Sequence, residues 1–138
     1  SVAVGAVVDE EGRVLGQHSG IHRFTIGQRR GLGVSATTPR YVIALRPEEQ
    51  QVVVGSRRSL ERTVLTASGV NWIAEPATEP RWVTAQIRHR HTAAPATVQV
   101  IEPGRVRVEF ATPQLAVTPG QAVVFYEADA VVGGGWID

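Results

Sequence analysis

Apolar and polar positions alternate in short runs along this chain, and helical periodicity is hard to find. The stretch "GAVVDEEGRVLGQH" reads as a hairpin: apolar Ala6 to Val8, a turn through Asp9-Glu10-Glu11-Gly12, then Val14 and Leu15. "YVIALRPEEQQVVVGS" predicts a second, with Tyr41 to Leu45 and Val52 to Val54 flanking a turn opened by Pro47. In "ATVQVIEPGRVRVEF" the turn falls at Glu102-Pro103-Gly104, before the alternating Val106, Val108 and Phe110. In "QAVVFYEADAVVGGGWI" two apolar runs face each other across Glu127-Ala128-Asp129. "TVLTASGVNWI" and "RWVTAQIRHRH" add further strand-like runs, joined by the polar, proline-marked Glu75 to Pro80. The β-branched density supports strands throughout. Helix is expected only as a turn or two over Phe24 to Arg29, with a weaker candidate over Ser59 to Val64.

Many short strands at close spacing predict an all-β chain of two small barrel-like modules. The texture changes near residues 60 to 66, so the expected division is 1–62 and 63–138. Modules this small bury limited cores and are expected to pack on each other or on something further.

Composition narrows the chemistry. The 138 residues are ordinary in apolar and charged content, so disorder is not expected. No apolar run approaches the roughly 20 residues of a membrane-spanning helix, and no basic-then-apolar leader opens the chain, so neither membrane nor signal peptide is expected. Cysteine is absent, which removes disulfides, thiolate metal sites and thiol nucleophiles from these residues.

Net charge is only +1, but it is unevenly spread. All 14 basic residues are arginine. No acid lies between Glu11 and Glu48, a span holding Arg13, Arg23, Arg29, Arg30, Arg40 and Arg46. None lies between Glu79 and Glu102, which holds Arg81, Arg88, Arg90, His89 and His91. Such runs suit nucleic-acid phosphates, unless folding brings acids from elsewhere alongside.

Within the first run, "FTIGQRRGLG" (24–33) combines three glycines, a glutamine and paired arginines. It is neither a Walker A loop, which needs Gly-Lys-Ser/Thr, nor a dinucleotide fingerprint, which needs a βαβ unit. Arg29 and Arg30 offer forked donors to phosphate, and Gln28 suits a base edge or sugar. A short helix capped by Gly31 would place both arginines equally well against its dipole. In "QIRHRH", read as a strand, Gln86, Arg88 and Arg90 share one face, while Ile87, His89 and His91 share the other. Arg88 and Arg90 would then lie about 7 Å apart, a spacing that suits successive phosphates; solvated surface arginine is the plainer reading. His18 and His22 flank Gly20, and His89 and His91 lack a third ligand nearby, so no metal is expected. No serine sits in a nucleophile elbow, and no catalytic constellation is expected.

The run "GAVVDEEGRVLGQHSGIHRFTIGQRRGLGV" closely resembles the central region of bacterial tRNA-specific 2-thiouridylases, formerly called tRNA (5-methylaminomethyl-2-thiouridylate)-methyltransferases. The resemblance continues through "YVIAL", "VVVG", "VNWI", "IRHRH", "AVTPGQAVVFY" and "VVGGGWI", in order over essentially the whole chain. It implies the C-terminal portion of such an enzyme: a small central β domain, then a β-barrel akin to those of translation factors. The family uses ATP (with Mg) in an N-terminal catalytic domain of PP-loop type to adenylate the wobble uridine. Two cysteines then deliver sulfur from a persulfide to carbon 2. This chain has neither the SGG-type loop nor the cysteines, so it is expected to be inactive alone and to hold no cofactor.

The implied partners are the tRNA anticodon region, a sulfur-carrier protein and the protein's own catalytic domain, in the cytoplasm. Its implied role is to grip tRNA while the flipped wobble base reaches a distant pocket. Carried onto this sequence, the family's barrel contacts fall on Arg88, His89 and Gln121; many relatives have tyrosine where this chain has His89. The plainer alternatives are a loop residue beside a Pro-Gly turn for Gln121, and a bulge or tight final strand for Gly133 to Gly135. The alternative function is a protein-interaction barrel docking the sulfur carrier or the catalytic domain.

Overall fold

A computed structural model describes residues 4–34, 38–88 and 92–138. The chain divides into two compact units, Ser1–Glu61 and Arg62–Asp138. Each has its own apolar core.

The first unit is a four-stranded sheet built from β1 (Gly5–Val8), β2 (Val14–His18), β3 (Tyr41–Arg46) and β4 (Gln51–Gly55), in the order β2-β1-β4-β3. Both hairpins form antiparallel pairs, and β1 joins β4 in parallel through Val7↔Val52 and Val8↔Val53. That parallel joint puts β4 inside the sheet. Its Val52, Val53 and Val54 are all buried, so the unbroken apolar run belongs to a strand covered on both faces. On one face Val7, Val42, Val52 and Val54 pack with Leu32, Phe24 and Ile26, so the apolar residues of the 24–33 motif serve as part of the core.

The helix expected within that motif does not form. A single 3-10 turn lies earlier, at Ile21–Arg23, and Phe24 is extended. A tight turn follows, closed by the Gln28 N–H on the Thr25 carbonyl at 3.0 Å, with Gly27 at φ +94°. The Gly27 N–H then donates to the Val42 carbonyl (2.8 Å), and the Val42 N–H to the Gln28 carbonyl (2.9 Å). The backbone groups that a helix would pair internally are thus paired with β3 instead. A second 3-10 turn, Arg58–Leu60, ends the unit, and the residues after it are strand.

The second unit is a closed six-stranded barrel. Its strands are β5 (Glu61–Trp72), β6 (Arg81–Gln86), β7 (Ala94–Glu102), β8 (Arg105–Leu115), β9 (Ala122–Glu127) and β10 (Ala130–Ile137), in the order β10-β5-β8-β7-β6-β9. Closure removes sheet edges, and a barrel this narrow is filled by its own side chains. Val83, Ala85, Val98, Val108, Val123 and Phe125 are buried inside, alternating with outward residues. The Glu75 to Pro80 connection crosses to β6, placing Ala77 in the core and its carbonyl on the Val100 N–H at 2.8 Å.

Gly133–Gly135 lie where β10 is squeezed between β5 and β9. A Cβ at any of them would come within 2.9 Å of a neighbouring backbone oxygen, and register shifts occur between Val131 and Gly133 and between Gly134 and Trp136. The glycine run is the bulged final strand that lets the barrel close.

Candidate nucleic-acid interface

Strand β6 ends at Gln86, short of the strand expected through "QIRHRH"; just beyond it Ile87 is buried and Arg88 stands exposed in a bend. The buried-then-exposed order of Ile87 and Arg88 matches the expected faces, although the strand itself stops at Gln86. His89, Arg90 and His91 lie outside the described residues. Beside this strand runs β9, with Gln86 opposite Val124.

β9 is entered through the Thr118-Pro119-Gly120-Gln121 loop. The Gln121 N–H closes it on the Thr118 carbonyl at 3.2 Å. The Gly120 N–H donates to the Ile137 carbonyl, and the Ile137 N–H to the Gln121 carbonyl, both at 2.8 Å. The backbone of Gln121 is thus bonded on both sides, while its side chain stands exposed with no partner among the described residues.

The fold brings Arg88 and Gln121 to one open hollow of about 300 Å³, lined also by Gln86, Ala122 and Val124. Arg88 Nη1 donates to the Leu115 carbonyl at 2.9 Å, which holds the guanidinium while leaving other N–H groups available. Gln86 Oε1 accepts from the Tyr126 hydroxyl at 3.2 Å. Among the described residues, no carboxylate lines the hollow. A held arginine and a free amide can receive a phosphate oxygen and a sugar or base edge, respectively.

In the first unit the remaining candidates stand differently. Gln28 is bonded at both ends of its amide: Oε1 accepts from the Thr25 N–H (3.1 Å), and Nε2 donates to the Arg30 carbonyl (2.8 Å). It staples its own loop. Arg29 and Arg30 are exposed at the tip of that loop and make no ion pair among the described residues. Alongside is an open hollow of about 450 Å³, lined by His18, Arg23, Phe24, Gly31 and Gly33 among others. His18 is buried. Its Nε2 bonds the Gln50 carbonyl (2.7 Å) and its Nδ1 accepts from the Gly20 N–H (3.1 Å), as the Nε2-protonated tautomer does. Both ring nitrogens are thereby used within the fold. Among the described residues no three His, Cys, Asp or Glu converge as metal ligands would.

Among the described residues, the carboxyls with displaced pKa values line neither hollow and hold the framework together. Hydrogen bonds from Ser68 and Thr66, then Arg105, hold Asp138 below the usual carboxylate range against the opposing effect of burial. Arg81, bonded to Glu127 at 2.6 Å, lowers that group in the same way. At Asp9 burial pushes upward, but the Arg13 N–H and guanidinium and the Glu11 N–H together outweigh it.

Comparison with known proteins decides the family. Residues 62–137 match the family described as "Aminomethyltransferase beta-barrel domain", and residues 1–56 the "tRNA methyl transferase PRC-barrel domain". The tRNA-specific 2-thiouridylase MnmA of Geobacter metallireducens is 48% identical over 135 residues, covering 98% of this chain and 37% of that protein. That of Koribacter versatilis is 52% identical over 134 residues, covering 96% and 36%. The chain belongs to the tRNA-specific 2-thiouridylase family. It carries the family's two β domains and spans a little over a third of the length of these relatives.

Gln121 could not have been singled out by composition or strand pattern; only the family resemblance pointed to it. The outward residues of β9 and β10 that adjoin the Arg88 hollow gave no separate signal. Their alternation shows which face each residue takes but not which strand lies beside it.

Proposed function

We propose that this chain is the tRNA-gripping portion of an ATP-dependent tRNA 2-thiouridylase that thiolates carbon 2 of the wobble uridine. The observation that carries the reading is the meeting of Arg88 and Gln121 in one hollow with no acid among its described lining, on a chain of the thiouridylase family. The acid-free arginine runs support it, with Arg29 and Arg30 offering a second cationic contact from the exposed loop of the sheet unit. In this reading His89 and Arg90 extend the Arg88 contact along the phosphate backbone.

ATP, Mg and the sulfur-donating chemistry belong to the catalytic portion of the complete protein, in the cytoplasm, with a sulfur-carrier protein as its donor. The glycines of residues 24–33 do not fit a triphosphate: no lysine accompanies them, and the Gly27 N–H is already bonded to Val42. These two domains bind and orient. A grip on the anticodon stem and loop supplies binding energy that offsets extruding the target base toward chemistry performed elsewhere.

The test is tRNA binding by the 138-residue chain at low salt, measured by fluorescence anisotropy beside a neutral control protein. Affinity is expected to fall steeply with salt as counterions are released. Arg88→Ala should weaken binding and lower the magnitude of the log–log salt slope by about one. Binding no better than the control overturns the proposal. Unchanged tRNA binding by Arg88→Ala, with persulfide transfer lost in the complete enzyme, would make the barrel a protein-docking module instead.

A further inference from the structure

A second hollow adjoins the first on the outer wall of the barrel. It has a volume of about 270 Å³ and shares Ala122 and Val124 with the Arg88 hollow, so the two form one continuous surface across β9. Its character is different. Ile73, Val131 and Trp136 line it, exposed by 76%, 39% and 59%, and part of its floor is the side-chain-free backbone of Gly133–Gly135. Pairing fixes the order of the wall: Trp136 lies beside Ala122, Gly134 beside Val124, and Val131 beside Tyr126. The indole lies against Gly69, where a Cβ would come within 3.2 Å of its Cδ1. An apolar slot floored by backbone, walled by indole and next to a cationic hollow matches what an unpaired nucleotide presents: a flat π face joined to an anionic phosphate.

We propose that Trp136 stacks on an unpaired base of the bound RNA, with Ile73 and Val131 covering the base edge, while Arg88 holds an adjoining phosphate. The inference rests on the RNA-binding reading above and adds to it a contact independent of charge. Charge favours RNA over an apolar protein segment here: among the described residues, the two hollows together are lined by one arginine, two glutamines and one asparagine, and by no acid. The slot lies wholly within the barrel unit. It reads one neighbouring base as a surface, without demanding its identity, because every base has a π face.

The test uses the protein at its full length, with an anticodon stem-loop RNA as probe. Trp136→Ala is expected to weaken binding about 5- to 100-fold, with the salt slope unchanged. Trp136→Phe should recover most of that loss, and Trp82→Ala, an exposed tryptophan outside both hollows, should bind as the parent does. Near-parental melting temperatures for these variants exclude a folding defect. If Trp136→Ala does not fold, Ile73→Ser and Trp136→Phe carry the test. Ile73→Ser should weaken binding several-fold, and RNA quenching of tryptophan emission in a Trp82→Phe background should fall sharply in Trp136→Phe, which leaves Trp72 as the remaining emitter of this chain. Parental affinity in Trp136→Ala, or in Ile73→Ser with quenching kept in Trp136→Phe, overturns the stacking site while leaving the Arg88 reading intact. No binding by the parent overturns both. Parental RNA binding with loss of a protein partner would reassign the slot to protein docking.

Discussion

Asp138 ties three side chains to the end of the barrel. Its carboxylate accepts from Thr66 Oγ1 at 2.7 Å, from the Ser68 hydroxyl, and from Arg105 Nη2 at 3.1 Å, and its N–H bonds the Thr66 carbonyl at 3.0 Å. Because these bonds hold its folded-state pKa below the usual value, its contribution is fully present above the unfolded pKa, about 3.9 for aspartate. It is lost as pH falls through the lower folded value. Asp138→Asn should therefore melt lower than the parent at neutral pH, with the gap closing below about pH 4. A gap that stays constant to pH 2 in thermal melts would exclude this ionic role. At Gln28 the expected loss concerns the loop. Gln28→Ala removes two side-chain hydrogen bonds and should cost about 1 kcal/mol in urea unfolding. It should also speed amide exchange at Thr25; unchanged exchange there would show that the staple is idle. The sequence offered Gln28 as a donor to RNA because its amide suits a base edge. It could not show that Thr25 and Arg30 each already take a bond from that amide, since residues two and three positions apart meet this way only in the particular turn formed.

At the scale of elements, Gly5 at the start of β1 lies tight against Gln50, the residue just before β4. A Cβ at Gly5 would fall 1.8 Å from the Gln50 carbonyl oxygen and 2.7 Å from His18 Nε2, into the bond those two make with each other. Gly5→Ala must spread the sheet or break that bond, and should lower stability by at least about 2 kcal/mol in denaturant unfolding. Parental stability would mean that β1 can shift freely. The strands and their hairpin turns were legible because apolar alternation and Pro-Gly or acidic turns are local signals. The parallel joint of β1 with β4 was not, being a contact between segments more than forty residues apart with no local marker. The helix expected near Phe24 gave way to a turn for the same kind of reason. A few residues of weak helical character gain less from internal pairing than from bonds to the exposed backbone of β3.

At the scale of the whole molecule there are two cores. The barrel core draws on residues from Leu65 to Ile137, the sheet core on residues from Val7 to Val54, so each unit buries its apolar side chains within itself. A chain of residues 61–138 should consequently fold alone, with a β-sheet circular dichroism spectrum and a cooperative melt. A non-cooperative melt would show that its core depends on the sheet unit.

The amino-acid sequence by itself determined the all-β class, the hairpins, the outward placement of Arg88 and, through its motifs, the thiouridylase family. These depend on side-chain period, turn chemistry and residue order, which are written locally. Only the tertiary structure decided that Arg88 and Gln121 share a hollow, that Gln28 is spent on its own loop, and that Trp136 stands across Ala122 from the arginine. Those are matters of which strand lies beside which. Barrel closure sets them by packing side chains and pairing backbone over long separations, and no local stretch of residues records that outcome.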